Sequence, residues 1–465
     1  MDKIRKQNRR KSLSPYLLVL LSFLIIILIG GFLLSCPFST KNGRWGNFIN
    51  AIFTAVSSTC VTGLSVYENG IVEEFNLFGQ ILMCLMIQIG GLGFITILTF
   101  IITLVRKKIQ FKDRFLLAKA VNAANIGDMI KFVRKIIIIS FAFEIIGFLL
   151  LIPPYLQMFK NNISVGLWRA LFHSVSAFNN AGFDLLGNSS LVKGLGNPLI
   201  DNLANWAYIY LQIVTMLLII FGGLSFVAII EIFSIKKSPK QYTTFTKIVL
   251  SMTGILIVFG TLLLLISDGL KSVNRMSVLD ALFQSVTCRT AGFTTYNQAN
   301  LSVMGRIVSC LLMLIGGSPL STAGGIKTTT VFLIFLAMYK YLSGKKVSAF
   351  KRSYSHKMVL KAMSLLLIAL STILISYLLV VTFENGNTHV PERGALLFEI
   401  FSAFNTVGNT VGITPYLSIG TKIVLCILMF MGRLGPITLF QIFQKNIDKE
   451  EKLHYEYVQE DFLVG

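Results

Sequence analysis

Apolar residues in this chain form long runs interrupted at regular intervals by short polar stretches. Eight runs are long enough to cross a bilayer as helices, near 16–35, 77–105, 133–153, 205–233, 246–267, 305–340, 359–382 and 420–443. Between each odd run and the next even one lies a shorter apolar stretch, at 48–59, 165–178, 277–288 and 393–404. A helix of that length cannot cross about 30 Å of hydrocarbon, so the pattern predicts four re-entrant half-helices. Three of them share wording, Ala51-Ile52-Phe53, Ala170-Leu171-Phe172 and Ala281-Leu282-Phe283, and the fourth keeps Leu397-Phe398.

Each half-helix leads into a short glycine segment: Val61-Thr62-Gly63, Asn180-Ala181-Gly182, Thr290-Ala291-Gly292 and Thr406-Val407-Gly408. These glycines recur roughly every 115 residues, which marks a fourfold internal repeat. The phenylalanine precedes its glycine by ten residues in repeats one, two and four, but by nine in repeat three. Two full spans per repeat return the chain to the side it left, so the repeats are parallel and surround an axis along the membrane normal. The predicted fold is an all-α polytopic membrane protein. Four parallel span–pore-loop–span repeats, with eight transmembrane helices and four re-entrant half-helices, enclose one central pore. The chain divides into a basic N-terminus (1–15), repeat 1 (16–105), an amphipathic linker (106–132), repeat 2 (133–235), repeat 3 (236–342), repeat 4 (343–445) and a C-terminal tail (446–465).

Composition agrees with a membrane chain: only 14% of residues are charged and the mean hydropathy is +0.72. The first run has no small-residue cleavage site and reads as a retained span. The net charge of +21 is divided among Met1–Pro15, Arg106–Lys135, Lys236–Lys247 and Lys340–Lys361. The opposite loops carry Glu68, Glu73, Glu74, Asp184, Glu384 and Glu392. That asymmetry predicts a plasma (inner) membrane protein with both termini cytoplasmic. Its basic face suits anionic membrane lipid or an acidic partner, and the scattering of charge argues against nucleic acid. Cysteines 36, 60, 84, 288, 310 and 426 form no CxxC, and HExxH, Walker A and GxSxG patterns are absent, so no enzyme and no bound cofactor is expected.

The chemistry expected of the glycine segments is cation conduction. A cation stripped of water needs oxygen ligands, and the backbone carbonyls of Thr62, Gly63, Ala181, Gly182, Ala291, Gly292, Val407 and Gly408 would supply them. Each half-helix would aim its negative C-terminal end at the ion. Further on, each repeat carries a paired position: Gly90-Gly91, Gly222-Gly223, Gly316-Gly317 and Gly432-Arg433. In the first two repeats the pair reads as close helix packing. Arg433 breaks the pattern, and an intramembrane arginine is costly enough to imply function. It either faces the pathway beneath the filter or pairs with Glu144 or Glu399. The run 305–340 is too long for one span and is interrupted by Gly316, Gly317, Ser318, Pro319, Leu320, Ser321, Thr322, Ala323, Gly324 and Gly325, which predicts a loop gate followed by Lys327. Lys327 would repel cations or anchor the loop. Glu68 and Asp184 lie just outside filter glycines.

These motifs resemble the superfamily of Trk, Ktr and HKT potassium transporters: the run Gly316 to Thr329, Phe178-Asn179-Asn180-Ala181-Gly182-Phe183, Arg289-Thr290-Ala291-Gly292-Phe293 and Gly432-Arg433. Eight spans without an extra N-terminal pair are most similar to its Ktr-type membrane subunits. The resemblance implies potassium uptake, with K+ selected at the four filter glycines, the third-repeat loop as gate and Arg433 beneath the filter. It also implies a homodimer with one pore per subunit, regulated by a cytoplasmic ring of RCK-domain subunits (KtrA-like) that bind ATP or ADP themselves. The apolar end Phe462–Gly465 would fit the family's dimer contact. Two departures stand out. Leu320 occupies a position where relatives usually have glycine, and Asn409 and Val411 follow the fourth filter glycine where they are usually more apolar or hydroxylated. The competing function is a sodium- or proton-coupled potassium symporter, which needs a further intramembrane ion site. Glu144 is its one clear candidate.

Overall fold

The computed structural model describes residues 15–93, 129–187, 190–234, 239–390 and 392–435. The first repeat folds as α1 (Pro15–Ser35), α2 (Phe48–Thr59) and α3 (Leu77–Leu92). The second gives α4 (Met129–Met158), α5 (Ile163–Phe178) and α6 (Asn205–Gly223). The third gives α7 (Thr244–Leu264), α8 (Val278–Thr287), α9 (Val303–Leu314) and α10 (Thr328–Leu342), and the fourth α11 (His356–Phe383), α12 (Arg393–Phe404) and α13 (Ile419–Leu434). Helix starts follow local chemistry. Asn47, Asn76, Thr243, Ser277, Ser302 and Ser418 each accept a backbone N–H of the first turn they precede. Glu384, just past α11, accepts from Ser418 N and Ser418 Oγ at 2.9 and 2.7 Å, reinforcing the start of α13. Burial raises its carboxyl, but hydrogen bonds from Thr421, Asn387 and Ser418 outweigh burial and hold it below the usual carboxylate range.

Four described helices are long and apolar enough to cross a membrane: Lys131–Met158, Asn205–Gly223, Thr244–Gly269 and His356–Phe383. Their outer faces are apolar and exposed, for example Ile138, Ile145 and Leu149 on α4 and Leu367, Leu374 and Leu378 on α11. Faces of that extent suit hydrocarbon rather than water. The half-helices are the reverse, apolar and polar side chains buried together. Phe53, Phe172, Phe283 and Phe398 are fully buried, as are Ser57, His173, Ser174, Ser285 and Ser402.

The apolar core lies at the seams between repeats. One cluster joins Phe53, Leu64 and Cys60 of repeat one to Phe404, Leu425 and Met429 of repeat four. A second joins Ala51, Ala55 and Val61 to Phe172 and Ala181 of repeat two. A third joins Phe178 and Leu211 to Phe283 and Phe293 of repeat three, and a fourth joins Cys288 and Leu312 to Phe398 and Val407 of repeat four. The repeats therefore follow one another around a closed cycle.

Three features differ from the sequence pattern. Helix α4 continues through Pro153 and Pro154 to Met158 instead of ending near 153. Packing overrides the local proline penalty, because Tyr155 is buried and its ring lies 6.5 Å from Phe159 and 5.8 Å from His173. The run 205–233 is not one helix. It breaks at Leu224-Ser225, where both residues are extended, and resumes as the short helix Phe226–Ile232. Finally, a hairpin pairs Ser348 with Ser353 and Ala349 with Arg352 in the basic segment before α11. Phe350 and Lys351 both have positive φ, the geometry of a two-residue hairpin turn, without the usual Asn-Gly signal. Most of the amphipathic linker 106–132 and the whole tail 446–465 lie outside the described residues.

Candidate functional site

The four glycine segments share one unusual backbone. In each, the first residue has positive φ: Val61 at 58°, Asn180 at 59°, Thr290 at 78° and Thr406 at 50°. The glycine two residues on is positive again, at 100°, 69°, 83° and 95° for Gly63, Gly182, Gly292 and Gly408. The residue between is not. Backbone alternating in hand turns consecutive N–H groups to one side, and so consecutive carbonyls to the other. For Val61 and the two threonines this conformation is strained, since a β-branched residue rarely adopts it.

Hydrogen bonds from the half-helices hold the segments there. Thr62 N donates to Ser57 O, Ala181 N to Ser176 O and Val407 N to Ser402 O, all at 2.8 Å. The hydroxyls of the same serines accept again, from Gly63 N at 3.1 Å, Phe183 N at 3.0 Å and Gly408 N at 3.0 Å. Repeat three closes differently. Ala291 N reaches only to Thr287 O, at 2.9 Å, a hydrogen bond one residue shorter. The Thr287 hydroxyl donates forward to Phe293 O at 2.6 Å. The tighter cap accounts for the phenylalanine-to-glycine spacing of nine rather than ten.

The glycines meet in a ring. A Cβ on Gly63 would stand 2.7 Å from Ala181 O, one on Gly182 2.6 Å from Ala291 O, and one on Gly292 2.5 Å from Val407 O. A Cβ on Gly408 would collide with Thr62 O, which returns to the first repeat. Any side chain here meets a neighbouring backbone carbonyl, so the ring requires glycine on steric grounds as well as for its φ. All four glycines open onto a cavity of about 260 Å³ that also touches Glu68, Asp184, Tyr296, Thr410, Val411 and Tyr416. Among the described residues, its only charged lining side chains are the two acids. The Asp184 carboxylate accepts from Leu186 N at 2.9 Å and Ser190 Oγ at 2.6 Å.

The third-repeat loop lies at the opposite end of the ring. Gly324 faces Thr406 Oγ1 and Asn405 O, and Gly325 faces Asn405 Oδ1. The loop is fastened to the break in repeat two. Ser318 N donates to Gly223 O at 3.0 Å, Thr322 N to Gly222 O at 3.2 Å and Phe226 N to Leu320 O at 2.9 Å. Thr322 Oγ1 shares its one hydrogen between Gly222 O at 2.8 Å and Phe178 O at 3.1 Å. Arg433 donates to Thr322 O and, in the neighbouring first repeat, to Gly90 O and Gly91 O. Its described partners are thus backbone carbonyls. The carboxylates of Glu144 and Glu399 are engaged elsewhere, Glu144 with Gln88 and Asn179 and Glu399 with Thr410 and Thr414. Lys327 Nζ turns back onto its own loop, to Ala323 O at 2.8 Å and Gly324 O at 3.4 Å.

The paired positions have a common physical basis. A Cβ on Gly90, Gly222 or Gly432 would overlap Thr59 O, Phe178 O or Phe404 O respectively, the last carbonyl of the repeat's half-helix. In repeat three the loop's Gly324 O takes that place against Gly316. The serines six residues before Gly63, Gly182 and Gly408 were visible in the sequence as a repeated position. The paired carbonyls of residues 222 and 223 were not, because their partners lie about a hundred positions away in the chain.

Residues 15–455 match the family profile described as "TrkH: Cation transport protein". The chain is 36% identical to the potassium/sodium uptake protein NtpJ of Enterococcus hirae, over 99% of this chain and 100% of that one. It is 34% identical to the Ktr system potassium uptake protein B of Bacillus subtilis, over 100% of this chain and 99% of that one. Among solved structures, the potassium transporter TrkH from Vibrio parahaemolyticus superposes with a TM-score of 0.69 at 17% identity, covering 93% of this chain and 86% of that one. That likeness carries the fold, and the sequence relatives place the chain among ion transporters rather than enzymes. The chain belongs to the TrkH family of cation transport proteins.

Proposed function

We propose that this protein takes up potassium across the plasma membrane through a channel-like pore. The observation that carries this reading is the closed ring of Gly63, Gly182, Gly292 and Gly408 with its alternating backbone. In this reading the carbonyls of Thr62, Gly63, Ala181, Gly182, Ala291, Gly292, Val407 and Gly408 replace the water of a passing K+ ion. Eight spans in four repeats surround the ring. Both termini are cytoplasmic, and Glu68 and Asp184 stand at the outer mouth, where they concentrate cations. The loop 316–325 obstructs the inner end. Arg433 and Lys327 hold it shut through its own carbonyls, and their charges disfavour cations beneath the ring. The names of the Bacillus subtilis relatives, which describe parts of a Ktr system, support a separate regulatory subunit. We assign this role to a cytoplasmic RCK-domain ring that binds ATP or ADP and acts on a homodimer of this chain in a lipid membrane.

The test is cation flux into liposomes containing the purified protein, with potassium or sodium outside. Potassium flux should exceed sodium flux at least tenfold. Gly63→Ser, which sets a side chain against Ala181 O, should abolish that preference while leaving the protein inserted. Equal flux of the two ions in the unaltered protein would overturn the filter assignment.

A further inference from the structure

The fourth half-helix carries a buried carboxylate that none of the roles above uses. Glu399 follows the core residue Phe398 and is 1% exposed. It accepts a short hydrogen bond from Thr410 Oγ1, one from Thr414 Oγ1 at 3.0 Å and one from Val411 N at 3.3 Å. Thr414 Oγ1 in turn bonds Thr410 Oγ1 at 2.9 Å, and Gly412 N donates to Thr410 Oγ1 at 2.9 Å. Every donor belongs to the five residues 410–414, which begin two positions after the ring glycine Gly408. Thr410, Val411 and Gly412 also line the outer cavity.

The same place is occupied in repeat three by a neutral counterpart. Gln284 follows Phe283, is 1% exposed, and exchanges amide bonds with Gln298 at 2.7 and 2.9 Å. Gln298 lies six residues after Gly292, as Thr414 lies six after Gly408. The position after the core phenylalanine is Thr54 in repeat one and His173 in repeat two. Repeat four alone places an acid there.

We infer that Glu399 is a positioning residue for ion selection: its carboxylate fixes residues 410–414, and through them the outer face of Gly408 in the ring. A carboxylate acceptor suits three donors converging from one short segment, since it offers two oxygens and no competing hydrogen. Selectivity needs carbonyl oxygens held at a set spacing. The fourth segment has no serine hydroxyl or amide pair beyond Gly408 to do this. Asn409 contributes little, because its amide turns toward Cys288 Sγ of repeat three at 3.6 Å. The inference rests on the potassium-selective pore proposed above.

The experiment measures potassium and sodium flux in liposomes for the unaltered protein, Glu399→Ala, Thr410→Val and the double variant. Insertion is checked by the fraction of protein recovered in the bilayer. If the carboxylate positions the ring, either single change lowers the potassium-to-sodium ratio about tenfold, chiefly by raising sodium flux. The double variant is then no worse than the more severe single, because the Thr410–Glu399 bond that Thr410→Val deletes is already lost in Glu399→Ala. A merely structural loss would lower both fluxes together and leave their ratio unchanged, and that result would overturn the assignment. Effects that multiply in the double variant would also overturn it. Should Glu399→Ala fail to insert, Thr410→Val decides alone, since it keeps the acid and deletes only the hydroxyl. An unaltered protein that does not distinguish the two ions defeats the pore reading and this inference together. An unaltered protein that does, with variants that match it, defeats only this inference.

Discussion

Leu320 has φ of 56° in the third-repeat loop, a left-handed conformation that costs a leucine on the order of 1 kcal/mol relative to glycine. It stays there because Leu320 O accepts from Phe226 N at 2.9 Å, so the backbone is held by repeat two while the side chain bears the strain. In the proposed gate the strain belongs to the closed loop and would be released when the loop leaves. Leu320→Gly should therefore stabilise the latched form and lower unregulated potassium flux about fivefold, the factor that roughly 1 kcal/mol gives. A flexible-hinge view predicts the opposite sign, so a rise in flux for this variant would reject the strain argument. The sequence showed that position 320 was an anomaly but not its sign. A residue's hand depends on which carbonyls its neighbours must present, and those partners lie on another repeat. The same holds at Val61, Thr290 and Thr406: the ring glycines were legible from their period, whereas the strained residues two places before them look like ordinary strand formers.

At the scale of elements, one rule recurs. In repeats one, two and four the second helix comes against the end of its own half-helix at a glycine, and helical structure ends within about a turn; in repeat three the loop's Gly324 O takes that place. The third-repeat break was legible because Gly316, Gly317, Pro319, Gly324 and Gly325 cannot continue a helix. The break at Leu224-Ser225 was not, because the Gly222-Gly223 pair before it reads equally well as close packing within one helix. It exists because Gly222 O and Gly223 O leave the helical ladder to accept from Thr322 and Ser318. The two breaks are therefore halves of one latch, with Thr322 at its centre. Thr322→Val keeps the volume of the side chain and removes hydroxyl bonds to Phe178 O and Gly222 O. That hydroxyl has one hydrogen, shared between the two carbonyls, so at about 1 kcal/mol for its loss the latch should weaken about fivefold. The measurement is potassium flux in the absence of any regulatory partner, read beside the labelling rate of a cysteine placed at Ser321. Both should rise together. Faster labelling without faster flux would show that the loop moves but does not block the pathway.

At the scale of the molecule, closure of the ring and the distribution of the core are the same fact. Each apolar cluster spans a seam between consecutive repeats, so no repeat completes its core until its neighbours are in place. The four are alike in backbone and unlike in chemistry: the third holds the loop, and the fourth holds both the arginine and the buried acid behind the ring. A coupled carrier would need a second ion site that forms and dissolves as the pathway changes sides. The interior carboxylates are instead committed locally. Glu144 is bonded to Gln88 and Asn179 and Glu231 to Thr243 and Thr246, at seams between repeats, and Glu399 to Thr410 and Thr414 inside the fourth repeat. Among the described residues no three His, Cys, Asp or Glu side chains gather as a ligand set. Potassium flux at a clamped voltage should accordingly be unchanged when sodium is replaced by an impermeant cation and when the pH gradient is collapsed. It should reverse where the potassium gradient and voltage balance. A reversal potential displaced by a sodium or proton gradient would show stoichiometric coupling, and one of these carboxylates would then have to leave its present partners to carry the second ion.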